Sequence, residues 1–295
     1  MLADLALEGV RDRILMLRTN PNFAPLEDED LLRIARHARV RRAKRGTVLT
    51  REGQPLERVV LVTEGRVVVR HEGRPIADIR GQGGVGLLSL FAGLTVTPHA
   101  EVLEDSVLLE LPAEVVRTNV FDSFPIARNT LRLLALGLLE RRGNLPAAQR
   151  EPSLGVWRDR EPTVVERVLR FRESPDFGGA HLDAIAEIAR RATDVRFPEG
   201  ASLWSMGDAP SFSLAIEYGR VRCTNQDGDS VVIGAGTALG ILDALAGAPR
   251  VYDAVALTPV IATNLDTTTW LAVLEVFPEL ASTIRRSLSR LFLAG

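Results

Sequence analysis

The chain has 295 residues, 46% apolar and 25% charged, the proportions of an ordinary soluble globular protein with room for about two domains. A formal net charge of -2 and a pI of about 6.2 argue against an overall field that gathers DNA or an anionic membrane. No apolar run is long enough to read as a membrane-spanning helix, and the opening MLADLALEGVRDR lacks the basic start and sustained apolar core of a secretion signal, so no membrane insertion is expected. The single cysteine, Cys223, cannot form an internal disulfide, which suits a reducing, cytoplasmic compartment. Lys44 is the sole lysine, a bias that fits a GC-rich bacterial genome.

In chain order, EDEDLLRIARHAR is predicted helical, with Leu31, Ile34, Ala35 and Ala38 along one face and acidic residues at its positive end. RVVLVTEGRVVVRHEG follows as short, β-branched strands interrupted by glycine. RNTLRLLALGLLERR is predicted to close this half as a helix. The stretch 143–163, with Trp157 inside it, has no steady period and reads as a linker. AHLDAIAEIARRA then opens a second half, and LASTIRRSLSRLFL closes it. There Leu280, Ile284, Leu288 and Leu291 form an apolar stripe opposed by Arg285, Arg286 and Arg290.

The second half repeats the first. Sliding the chain so that Gly46 meets Gly200 also brings Gly53 onto Gly207, Gly65-Arg66-Val67 onto Gly219-Arg220-Val221, and Gly86 and Gly93 onto Gly240 and Gly247. Pro21 and Phe23 meet Pro175 and Phe177 in the same register. A one-residue slip further on aligns Phe124-Pro125 with Phe277-Pro278. Glycines dominate the matches, as expected where the backbone turns through positive φ or approaches something closely. The expected fold class is mainly β with flanking helices, two β-roll or jelly-roll domains in tandem. The expected divisions are 1–143, a linker over 144–162, and 163–295.

The order of these signals resembles the cyclic nucleotide-binding domain family of bacterial catabolite activators and cAMP-dependent kinase regulatory subunits. The resemblance spans nearly the whole chain twice and is sharpest in VGLLSLFAGLTVTPHA from Val85 and LGILDALAGAPRVYDA from Leu239. These are similar to the family's phosphate-binding cassette, in which a glutamate takes the ribose hydroxyl and an arginine the cyclic phosphate. The resemblance implies a cyclic nucleotide ligand, yet Leu87 and Ile241 stand at the two glutamate positions and Val96 at the first arginine position. Only Arg250, preceded by Pro249, keeps the second.

Losing the charged partner of a buried phosphate costs about 2–5 kcal/mol, and losing a hydrogen bond to a charged group about 1.5–3 kcal/mol. The first cassette, with Gly86, Leu87, Val96 and Thr97, therefore reads as vestigial. The second, with Gly240, Ile241, Leu242, Arg250 and Val251, keeps an anion clamp without the ribose contact. Leu87 and Ile241 are expected to pack inward where a ribose would lie.

No catalytic constellation, phosphate loop or metal-type cluster of histidines or cysteine is present in the sequence, so neither enzyme activity nor a cofactor is expected. The basic run RIARHARVRRAKR over 33–45 is expected to face water, with docking of an acidic partner as the rarer use. Gly295 falls within the closing helix of the second copy, leaving no recognition helix, so direct DNA binding is not expected. The closing-helix stripe suits either a homodimer contact or the cover of its own β roll. Two functions stay open: a ligand-independent regulatory protein acting through a protein partner, which is preferred, and a nucleotide sensor whose second domain binds cAMP, cGMP or a related anion through Arg250.

Overall fold

The computed structural model describes residues 9–120, 124–141, 144–146, 162–173, 177 and 180–294. Most of the expected linker, Trp157 with it, lies outside the described residues, as does Pro175 of the repeat. The chain divides into two compact units, residues 1–130 with 288–295 and residues 131–287. No described helix is long and apolar enough to cross a membrane.

The first copy runs α1 (Val10–Thr19), α2 (Asp28–His37), β1 (Arg39–Ala43), β2 (Val48–Thr50), β3 (Arg58–His71), β4 (Arg74–Arg80), β5 (Gly83–Val85), α3 (Leu87–Phe91), β6 (His99–Pro112), α4 (Ala113–Val120) and α5 (Phe124–Arg141). The second runs α6 (Val164–Glu173), α7 (Leu182–Arg191), β7 (Thr193–Phe197), β8 (Ser202–Trp204), β9 (Phe212–Tyr218), β10 (Val221–Asn225), β11 (Ser230–Ile233), β12 (Ala238–Leu239), α8 (Ile241–Ala246), β13 (Tyr252–Ala256), β14 (Val260–Asp266), α9 (Thr267–Val276) and α10 (Pro278–Ala294). α1 and α6, α2 and α7, β1 and β7, β2 and β8, β3 and β9, α3 and α8, α4 and α9, and α5 and α10 each start 154 residues apart. α2 forms where the sequence periodicity places it, with Asp28, Glu29 and Asp30 in its first turn and Arg36 and His37 in its last, both complementary to the helix dipole. Leu31, Ile34 and Ala35 are fully buried along its inner face.

In the second copy two four-stranded antiparallel sheets, β11-β10-β13-β8 and β12-β9-β14-β7, enclose a core of Leu214, Ile216, Cys223, Tyr252 and their neighbours. The first copy has the same path with fewer breaks. β3 and β6, each 14 residues long, replace the two strand pairs β9/β10 and β14/β13. β1, β6, β3 and β4 pair in that order, with β2 on β6 and β5 on β3. Their register shifts between Val62 and Val67, where the long strands bend from one layer to the other. Gly65 sits in this bend at φ +89, where an added Cβ would lie 2.5 Å from the Asp105 carbonyl oxygen. Glycine therefore bends one continuous strand here instead of separating two short ones, as expected from the sequence, whereas Gly219 does separate β9 from β10.

All five glycine pairs of the repeat adopt positive φ in both copies. Two expectations for the closing helix change. Leu280, Ile284 and Leu288 are buried, but Leu291 is exposed; Arg285 is buried, and of the three arginines only Arg286 and Arg290 are exposed, the Arg290 Nε donating to Ala92 O at 3.3 Å. The Arg285 guanidinium contacts the Ser282 hydroxyl, and burial beside Arg286 lowers its pKa to about 10.

Candidate functional site

The second cassette is built from β12, α8 and the turn into β13. Gly240 ends the strand at φ +74 and starts α8, its carbonyl accepting from the Ala244 N–H at 3.0 Å. Gly247 closes the helix, also in the left-handed region, and the turn then fixes Arg250 by its backbone. The Arg250 N–H donates to Asp208 O and its carbonyl accepts from Gly207, both at 2.9 Å. An added Cβ on Gly240 would clash with Arg250 Nη1 and lie 3.0 Å from Cζ, so glycine is required by conformation and by space.

Arg250 is only 1% exposed. Nη1 donates to Gly240 O at 3.2 Å and to Asp243 Oδ2 at 3.4 Å, and Nη2 donates to Phe212 O. Cζ lies 4.1 Å from the Trp204 ring centroid and 5.2 Å from that of Phe212, a cation held among aromatic faces. Trp204 is itself fixed, its Nε1 donating to Tyr252 O at 3.1 Å, while the Tyr252 hydroxyl accepts the Gly240 N–H at 3.2 Å. Arg250 thus makes backbone, aromatic and ionic contacts within the protein.

Asp243 is likewise 1% exposed. Burial raises its carboxyl pKa above the usual range, Arg250 opposing the shift, and burial lowers that of Arg250 with Asp243 opposing. Desolvation outweighs attraction for both partners, consistent with a 3.4 Å contact longer than the 2.7–2.9 Å of a strong charge-assisted bond. Sequence reading missed Asp243, although an aspartate in the apolar stretch ILDALA was the available signal. Trp204, Phe212 and Tyr252 carried no such signal, being ordinary strand residues in sequence.

Ile241 and Leu242 are half-buried, as is Val251 beside the sheet core. The expectation that Ile241 packs inward is therefore corrected: α8 turns Asp243, Ala244 and Leu245 inward and leaves its first two residues partly open. Leu87 does pack inward, 4% exposed within the core of the first copy. Gly86 keeps the left-handed start of α3 at φ +86.

The first arginine position also needs correction. Gly53 donates to Thr97 O at 3.0 Å and Thr97 to Gln54 O at 2.8 Å, the same ladder that Gly207, Arg250 and Asp208 make in the second copy. Thr97, rather than Val96, therefore matches Arg250, and Val96 is 41% exposed. Register returns by Ala100 and Ala254, which pair with Thr50 and Trp204. The buried Thr97 hydroxyl donates to Arg51 O at 3.0 Å. Ser89, also buried, corresponds to Asp243: its carbonyl accepts from Leu94 as Asp243 O accepts from Ala248. A buried ion pair in one copy is thus a serine and a threonine in the other. Trp204 and Phe212 correspond to Thr50 and Arg58, so the first cassette lacks these aromatic walls.

Cys223 is fully buried, and desolvation, helped by the Asp243 charge, pushes its pKa to about 12. Its thiol is expected to resist an aromatic disulfide reagent at pH 8 until denaturant is added. Prompt stoichiometric labelling of the native protein would contradict this burial.

The family comparison agrees with the doubled fold. The chain belongs to the cyclic nucleotide-binding domain family, which it matches over residues 40–121 and 194–276. It is 26% identical over 164 residues to an uncharacterized NTE family protein of Mycobacterium tuberculosis, an alignment covering 55% of this chain and 28% of the relative. Among solved structures, it is similar to the regulatory subunit of a cAMP-independent protein kinase A from Trypanosoma cruzi bound to guanosine, at 18% identity and TM-score 0.37, covering 92% of this chain and 86% of that one. The N-terminal domain of a transcriptional regulator from Streptomyces coelicolor A3(2) is 26% identical, with TM-score 0.37, covering 41% of this chain and 90% of that one.

Proposed function

We propose that this chain is a non-catalytic regulatory module that works through a protein partner and has lost effective cyclic nucleotide binding in both domains. One observation carries the reading: Arg250, the side chain that would meet a cyclic phosphate, is buried and engaged by Asp243, Gly240 O and Phe212 O. A ligand phosphate would have to displace the Asp243 carboxylate, with two like charges competing for one guanidinium in a desolvated site. Leu87 and Thr97 support the same reading in the first domain, because neither supplies a charge. The module then offers its partner a surface whose form does not depend on nucleotide.

Calorimetry with cAMP and cGMP tests this. No saturable heat is expected up to about 100 μM ligand, two orders of magnitude above a micromolar site. Saturable binding that disappears in Arg250→Ala would overturn the proposal and establish the second domain as a nucleotide sensor.

A further inference from the structure

The first unit holds a concave site outside the cassette residues. It is a cleft of about 570 Å³ into which α1 brings Arg13, the end of α2 brings Arg36 and His37, the start of β1 brings Arg39 and the start of β3 brings Arg58. Its volume falls within the roughly 300–1,000 Å³ typical of small-molecule sites. Two glutamates also line it. Glu110 is already engaged, by Arg41 at 2.9 Å and Arg58 at 3.0 Å, while Glu57 is exposed.

Among the described residues no carboxylate forms an ion pair with Arg13, Arg36 or Arg39. Arg13 Nε is also buried without a hydrogen-bond partner among them. The carbonyl end of α2 offsets part of the charge of Arg36, but does not supply the planar acceptors that guanidinium forks match. Three cations from three elements face one cleft, and an oxyanion with several acceptor atoms would relieve their repulsion and satisfy their donors together.

We infer that this cleft binds a small soluble polyanion of the phosphate class through Arg13, Arg36 and Arg39. The concave, several-sided lining favours a compact anion over an extended acidic peptide. Glu57, the remaining carboxylate at the site, sets a charge requirement: a ligand with several negative oxygens outcompetes a monoanion.

The test is titration of inorganic pyrophosphate into the full chain at low salt, followed by calorimetry. Saturable binding below about 1 mM is expected, weakening as salt rises because the contacts are ionic. Arg13→Gln combined with Arg39→Gln should weaken it at least tenfold, with circular dichroism unchanged. Asp243→Ser combined with Arg250→Thr, which removes both charges of the cassette together, should leave it unaltered, so this result and that of the cassette are independent. Absence of saturable heat, equal affinity in the double variant, or binding confined to an oligoglutamate peptide or to vesicles carrying a phosphoinositide would each overturn the inference.

Discussion

Asp243→Ala is expected to destabilise the second unit by about 3–5 kcal/mol, because it leaves the Arg250 charge buried without its counterion. Arg250 cannot relax easily into water: Trp204 and Phe212 flank its guanidinium, and two backbone carbonyls hold it. Urea unfolding followed by tryptophan emission reads the loss as a lower midpoint. Replacing both members, with Asp243→Ser and Arg250→Thr, installs the residues of the first cassette and should recover a large part of that loss. Recovery is expected because removing both charges eliminates the desolvation that neither partner fully offsets. A single Asp243→Ala variant within 1 kcal/mol of wild type would show that the pair does not hold the cassette together.

Gly219→Ala and Gly65→Ala are expected to have similarly large effects on their respective units, about 2–5 kcal/mol each. A left-handed residue with a Cβ costs about 1–2 kcal/mol, and a forced shift of close-packed neighbours adds about 1–3 kcal/mol. Both glycines meet backbone: an added Cβ would lie 2.8 Å from the Ser106 Cα at Gly65 and 3.0 Å from the Val260 Cα at Gly219. Gly46→Ala and Gly200→Ala are the matched controls, with the same sign of φ but nothing within 4 Å. They should show only the conformational part. If all four variants lost the same stability, close approach at the strand bend would have no energetic role.

Much of the doubled fold was legible because a left-handed backbone leaves a direct mark in sequence. Gly46, Gly53, Gly65, Gly86 and Gly93 recur, and local backbone geometry recurs with them. Helix periodicity was equally direct for α2 and α7, whose inner faces are buried. The cassette was legible only in part. Counting residues placed Val96 opposite Arg250, but strand pairing tolerates a local offset and puts Thr97 there. Asp243 has no place in the pattern of ribose and phosphate contacts, and its importance comes from a contact across the turn. Arg285 shows the same limit, since helical spacing placed it opposite the stripe while packing buries it.

The exchange of Asp243 and Arg250 for Ser89 and Thr97 also constrains how such a domain drifts. A lineage that changes only one member of the charged couple passes through an electrostatically bare interior, so substitutions at the two positions should be inherited together. Descendants of a duplicated domain would then fall into two groups, charged at both positions or neutral at both, unless a bound anion supplies the counterion that Asp243 supplies here.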